Sequence, residues 1–155
     1  MSTISRRLLI GSAATLALAG GAQAQTRASR ALAVYKSPTC GCCGGWVTHM
    51  RQAGFTVAVH VVEDPGTVRR ARGLPDSVAS CHTAVIDGYA IEGHVPAGDV
   101  VRLLAERPQA VGLAAPGMPM GSPGMETPDG RKQPFDTLLV LRSGQTRVFG
   151  RHGRG

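Results

Sequence analysis

Apolar and polar positions along this chain follow two periods, one near two residues and one near three and a half. Residues 31–35, Ala-Leu-Ala-Val-Tyr, make a short apolar run closed by Lys36-Ser37-Pro38-Thr39, which predicts a buried strand ending in a turn. After Gly44 and Gly45, the residues Trp46, Val47 and Met50 fall on one helical face, and Gly54 supplies a C-terminal stop. Residues 55–62 are a continuous β-branched run, the pattern of a strand covered on both faces. Asp64-Pro65 opens a short helix over 66–72, ended by Gly73. Residues 83–86 and 89–92 flank Asp87-Gly88, a strong two-residue hairpin signal. From Pro96 to Arg107, the residues Val100, Val101, Leu103 and Leu104 form an apolar helical face, and Pro108 follows its end. A stretch rich in Pro, Gly and Met over 115–125 fits neither period. Residues 137–142 and 145–149, joined by Ser143-Gly144, predict a closing hairpin, with frayed residues from 150 onward.

The order is β-α-β-α-β-β-α. Parallel βαβ strands followed by an antiparallel hairpin and a helix predict an α/β chain with a thioredoxin-like core, a Met/Pro/Gly-rich loop and a C-terminal β-hairpin. The first two dozen residues stand apart. Arg6 and Arg7 precede an apolar run too short to span a bilayer, and Ala22-Gln23-Ala24 supplies a small-x-small cleavage site. Residues 1–24 therefore read as a signal peptide, through either a twin-arginine or a general secretory route, and the mature protein as periplasmic. Residues 25–150 form one thioredoxin-like domain in this reading, with 151–155 a disordered tail.

The formal charge is +7, and loss of Arg6 and Arg7 would leave +5. Positive residues are scattered, with Arg69-Arg70-Arg72 the only dense group and no aromatic platform among them. That pattern fits solvated faces and excludes a nucleic-acid role. No Ser/His/Asp set and no carboxylate pair is visible, and no stable membrane insertion is expected once the signal is cleaved.

The chemistry lies in four cysteines placed in two groups: Cys40-Gly41-Cys42-Cys43, and Cys81 followed by His82. Cys40 and Cys43 make a C-x-x-C at a helix start, where unpaired N–H groups favour thiolate. The strand order carries the loop of Cys81 and His82 to the same place, so the four sulfurs are expected to converge. Three readings follow. Two structural disulfides suit an oxidising compartment, but adjacent Cys42 and Cys43 do not easily bridge. A thiol–disulfide oxidoreductase suits the C-x-x-C, yet Cys42 would compete within the pair. Metal binding uses all four sulfurs. Thiolates select Cu(I) or Zn(II), and the thioethers of Met118, Met120 and Met125 in the loop favour copper(I), with zinc the less favoured alternative. Bridging thiolates would permit more than one ion. His82 is the candidate nitrogen ligand. His94 reads first as a helix-entry residue, with a place on the rim of the same site as the alternative; Met50 reads as core, Trp46 as a lid under the cysteine turn, and His152 as tail.

The stretches Tyr35 to Trp46, Ser80 to Val85, Ile91 to Pro96 and Gly117 to Glu126 resemble the small periplasmic CopG-like proteins found with copper-resistance systems. The resemblance implies a thioredoxin-like fold and copper handling. It assigns the CxCC cysteines to Cys40, Cys42 and Cys43, the later cysteine to Cys81, and two loop methionines to Met118 and Met125. Met120 falls outside that motif. Copper ions, and other copper-resistance proteins of the same compartment, are the implied partners.

Overall fold

The computed structural model describes residues 30–154; the expected signal peptide lies outside them. A single mixed sheet of seven strands carries three helices. Strand β1 (Ala31–Lys36) leads into helix α1 (Cys42–Gln52), then β2 (Thr56–Val61), α2 (Pro65–Ala71), β3 (His82–Ile86), β4 (Tyr89–Gly93) and α3 (Ala97–Glu106). Strands β5 (Ala110–Ala115), β6 (Phe135–Leu141) and β7 (Thr146–His152) complete the sheet, and Asp76–Val78 forms a 3-10 turn before β3. The spatial order is β2-β1-β3-β4-β5-β6-β7. β1 runs parallel to β2 and antiparallel to β3, β3 antiparallel to β4, and β4 parallel to β5. No helix among the described residues is long and apolar enough to cross a membrane.

Local signals explain most of these elements. Asp64 caps α2 by accepting the Gly66 N–H at 2.8 Å, with Pro65 in the first turn. Asp87 and Gly88 both take positive φ, 48° and 85°, which matches the twist of the β3–β4 hairpin. Trp46, Val47 and Met50 of α1 and Val100, Leu103 and Leu104 of α3 pack with Leu32, Val34, Ile86, Ile91 and Leu113 of the sheet in the main core. A smaller cluster of Leu74, Val78, Ala90, Ala114 and Val140 forms separately.

Three expectations change. β2 is an edge strand and not a doubly covered one: only Val57 of its residues packs against the core, and Val61 is 61% exposed. Its β-branched composition reflects backbone preference, which an edge satisfies as well as a centre. Strand β5 went unread because Ala110, Gly112, Ala114 and Ala115 are weak strand formers. Tight packing explains them: a Cβ on Gly112 would come 1.7 Å from the Ala90 carbonyl oxygen. The chain is also ordered past residue 150, since β7 runs through His152. The His152 Nε2 lies 2.8 Å from Asp99 Oδ2 and 3.1 Å from Thr137 Oγ1, tying the last hairpin to α3.

Candidate metal centre

The turn after β1 delivers Cys40, just before the N-cap of α1, and Cys42 and Cys43 occupy the first turn of the helix. Gly41 stands at the N-cap and brings no side-chain acceptor. The partial positive charge of that helix end therefore acts on the sulfurs. Cys81 enters from the residue before β3. The Cys42 Sγ lies 3.6 Å from Cys40 Sγ and 3.8 Å from Cys81 Sγ, and Cys43 Sγ lies 3.7 Å from Cys81 Sγ. All four sulfurs fall within 4.8 Å of one another.

Cys40 and Cys43 are joined as a disulfide, while Cys42 and Cys81 are free. The two-staple arrangement is thus not formed: one exchangeable bridge sits beside two thiols. Cys43 is fully buried, whereas Cys40, Cys42 and Cys81 are each part-exposed.

The methionines separate. Met118 places its Sδ 4.0 Å from Cys42 Sγ and is 54% exposed. Neither Met120 nor Met125 brings its sulfur to a cysteine in this way. Their carbonyls instead brace the loop, accepting from Gln133 N and Gly121 N. The loop lies against α1 where Gly124 meets Gly45.

Two imidazoles back Cys81. His82 Nδ1 is 3.3 Å and His94 Nε2 is 3.0 Å from its sulfur, and these three side chains form a second group with metal-ligand spacing. His94 Nδ1 lies 2.8 Å from the Pro123 carbonyl oxygen. A carbonyl only accepts, so the proton sits on Nδ1 and the Nε2 lone pair faces Cys81. His94 is therefore a cluster residue and not simply a helix-entry residue. The sequence held a signal for it: counting outward from the Asp87-Gly88 turn, in the register that pairs Ile86 with Tyr89 and Thr83 with Glu92, puts His94 opposite Cys81. Glu92 was equally hidden. It is buried and accepts from Ser80 N–H and Thr83 O–H, both at 2.7 Å, which fixes the approach to Cys81.

The electrostatics favour neutral groups until a cation arrives. Burial, followed by the neighbouring Cys42, pushes the Cys81 thiol up to about 12. Burial lowers His94, partly offset by its Pro123 bond and by Glu126. His82 is pushed down to about 3 by burial, with His94 and Lys36 adding to it. Its Nε2 is buried without a partner, and its ring rests 4.5 Å from that of Trp46. As pH falls below the ordinary histidine value of 6.5, the unfolded chain takes up a proton here and the folded chain does not. Stability from this group is complete above that value and declines as pH drops toward 3. Between pH 7 and pH 5 the metal-free protein should lose about 2 kcal/mol on this account. Urea midpoints at the two pH values check the slope, which His82→Gln should flatten.

Four cysteine sulfurs, two imidazoles and a thioether in one place give this small mixed α/β protein a cysteine-rich cluster with the donor set and spacing to hold a soft metal ion. Two solved structures, titled copper resistance protein CopG, forms 1 and 2, match it at 44% and 46% identity with TM-scores of 0.75 and 0.74. They cover 81% and 79% of this chain and 98% and 97% of their own. The profile of a protein family of unknown function, DUF411, matches residues 78–125. No curated protein sequence matches. The chain belongs to the CopG family.

Proposed function

We propose that this protein binds copper(I) in the periplasm and sequesters or relays it in copper tolerance. The observation that carries this reading is the convergence within 4.8 Å of Cys40 from the turn before α1, Cys42 and Cys43 from its first turn, and Cys81 from a strand entry far along the chain. Cys40, Cys42, Cys43 and Cys81 hold the metal as thiolates, Met118 adds a thioether, and His82 and His94 offer nitrogen to a metal bound at Cys81. The relatives titled copper resistance proteins support copper over zinc. More than one ion is held, because a thiolate such as Cys81 can bridge. The strand order β2-β1-β3-β4 supports a thioredoxin-like core, and the N-terminal Arg6-Arg7 and Ala22-Gln23-Ala24 pattern supports export.

A second reading, thiol–disulfide exchange coupled to copper, is favoured by the Cys40–Cys43 bridge itself. Full coordination by four thiolates requires that bridge to be reduced.

Anaerobic titration of the reduced protein with Cu(I), against a chromophoric competitor, tests the first reading. Thiolate charge-transfer absorption and a stoichiometry above one are expected. Because Cys81 holds its proton far above neutrality, loading displaces that proton. Apparent affinity should rise about tenfold per pH unit for each proton released. Tighter retention of zinc than copper, or uptake equal to that of a variant with all four cysteines replaced by serine, would overturn the proposal. Fractionation of cells carrying the tagged full chain tests the compartment; recovery in the cytoplasm would refute that part.

A further inference from the structure

A cleft of about 430 Å³ opens beside the sulfur cluster, lined by Cys40, Cys42, Cys81 and Met118 and also by Ser80 and Arg69. A metal ion occupies a small fraction of that space, which falls in the size range of organic ligands. Arg69 gives the cleft its chemistry. The residue is only 8% exposed, and its Nε is buried with no hydrogen-bond partner. One terminal nitrogen bonds Asp76, and Glu92 comes no nearer than 3.9 Å. The Glu92 oxygens are already engaged by Ser80 and Thr83. Asp64 also lines the cleft, but its oxygens accept from Gly66 N–H, Thr67 O–H and Arg70. What remains is a guanidinium with spare donor capacity beside soft sulfurs. That pairing matches a ligand with a carboxylate at one end and a sulfur at the other.

We propose that the cleft binds small thiols that carry a carboxylate, and that such a thiol resets the cluster by reducing the Cys40–Cys43 disulfide. The bound thiolate attacks Cys40 Sγ, the bridge sulfur that lines the cleft. A ligand–Cys40 disulfide forms, and Cys43 leaves as a thiolate in the first turn of α1. A second thiol then attacks the ligand sulfur of that mixed disulfide and releases Cys40. Two ligand thiols become one ligand disulfide, the protein disulfide becomes two cysteine thiols, and the two thiol protons pass to the protein sulfurs. The inference rests on the copper reading only in taking the reduced cysteines as the metal-binding form.

Reduction of the bridge, followed by alkylation and mass spectrometry, tests it with 3-mercaptopropionate, 2-mercaptoethanol and 2-mercaptoethylamine compared at equal thiolate concentration. The carboxylated thiol should saturate and, at low concentration, react about tenfold faster than the neutral one. Arg69→Lys keeps the net charge but loses the planar fork. It should remove most of that preference and leave the 2-mercaptoethanol rate unchanged. Thr39→Trp, at an exposed position lining the cleft, should abolish saturation and serves if Arg69→Lys fails to fold. Linear, equal rates for all three thiols, or a mixed disulfide trapped on Cys43, would overturn the proposal. Copper uptake by phosphine-reduced protein is read in parallel. Its failure in the unsubstituted protein, with the thiol preference intact, would count against the metal reading and leave the cleft standing.

Discussion

Cys81→Ser should lower Cu(I) affinity about a hundredfold or more, with little change in the fold. The expectation follows from position. The other three sulfurs come from the one short segment that leads into α1, and Cys81 alone closes the set from a different segment. Its sulfur is 3.8 Å from Cys42 and 3.7 Å from Cys43, and it is the shared member of the sulfur group and the imidazole group. Serine preserves the volume and the ability to hydrogen-bond His94, but its hydroxyl is a hard donor that copper(I) does not favour. Met118→Leu, by contrast, should cost about tenfold or less, because that thioether is neutral, exposed and near Cys42 only. Competition against a chromophoric chelator measures both. An affinity for the Cys81→Ser protein within threefold of the unsubstituted one, with far-ultraviolet dichroism unchanged, would remove the basis for a four-sulfur centre.

Gly124→Ala should have the largest effect of any substitution in the loop over 116–134. Gly124 has φ +85°, and an added Cβ would come 2.5 Å from the Trp46 amide nitrogen and 2.8 Å from the Cys42 carbonyl oxygen. These are backbone atoms of a helix start and cannot swing aside. Gly45 completes the contact, since its own Cβ would lie 2.8 Å from the Gly124 Cα. Two glycines thus let two backbones touch, and they seat Met118 near Cys42 and the Pro123 carbonyl against His94. Unfavourable φ and overpacking together should cost about 2–4 kcal/mol, read as a lowered urea midpoint. The functional signature is a cycle. Met118→Leu should weaken copper binding in the Gly124 protein and add nothing further in the Gly124→Ala protein, because the loop has already lifted. Additive losses would show that the loop is held by something other than this glycine pair.

Sequence reasoning located the cysteine turn, the Asp64-Pro65 helix start and the Asp87-Gly88 hairpin because each rests on local backbone chemistry written in adjacent residues. It failed where neighbours decide. Strand β5 is Ala/Gly-rich because β4 presses against Gly112, a reason visible only once the strands are paired. The exposure of β2 depends on which strand ends the sheet, and β-branched residues say nothing of that. The order of the last strand depends on His152 finding Asp99 across more than fifty residues. Cys81 could be placed near the turn by topology, whereas His94 required carrying the hairpin register two residues past the last pair, Thr83 with Glu92. The cysteine spacing favoured a metal-binding cluster of free thiols, and the structure instead joins Cys40 to Cys43, because a C-x-x-C spacing at a helix start serves a bridge as well as a ligand pair.

The chain holds a single tryptophan, and it lies with its Nε1–H donating to the Val95 carbonyl at 2.8 Å and its ring against His82. Ultraviolet emission excited at the red edge, where the two tyrosines do not absorb, therefore comes from one indole, shielded from water and one imidazole away from Cys81. Fluorescence intensity thus serves as a label-free gauge of what occupies the neighbouring sulfur, reporting metal arrival or thiol exchange without any added dye.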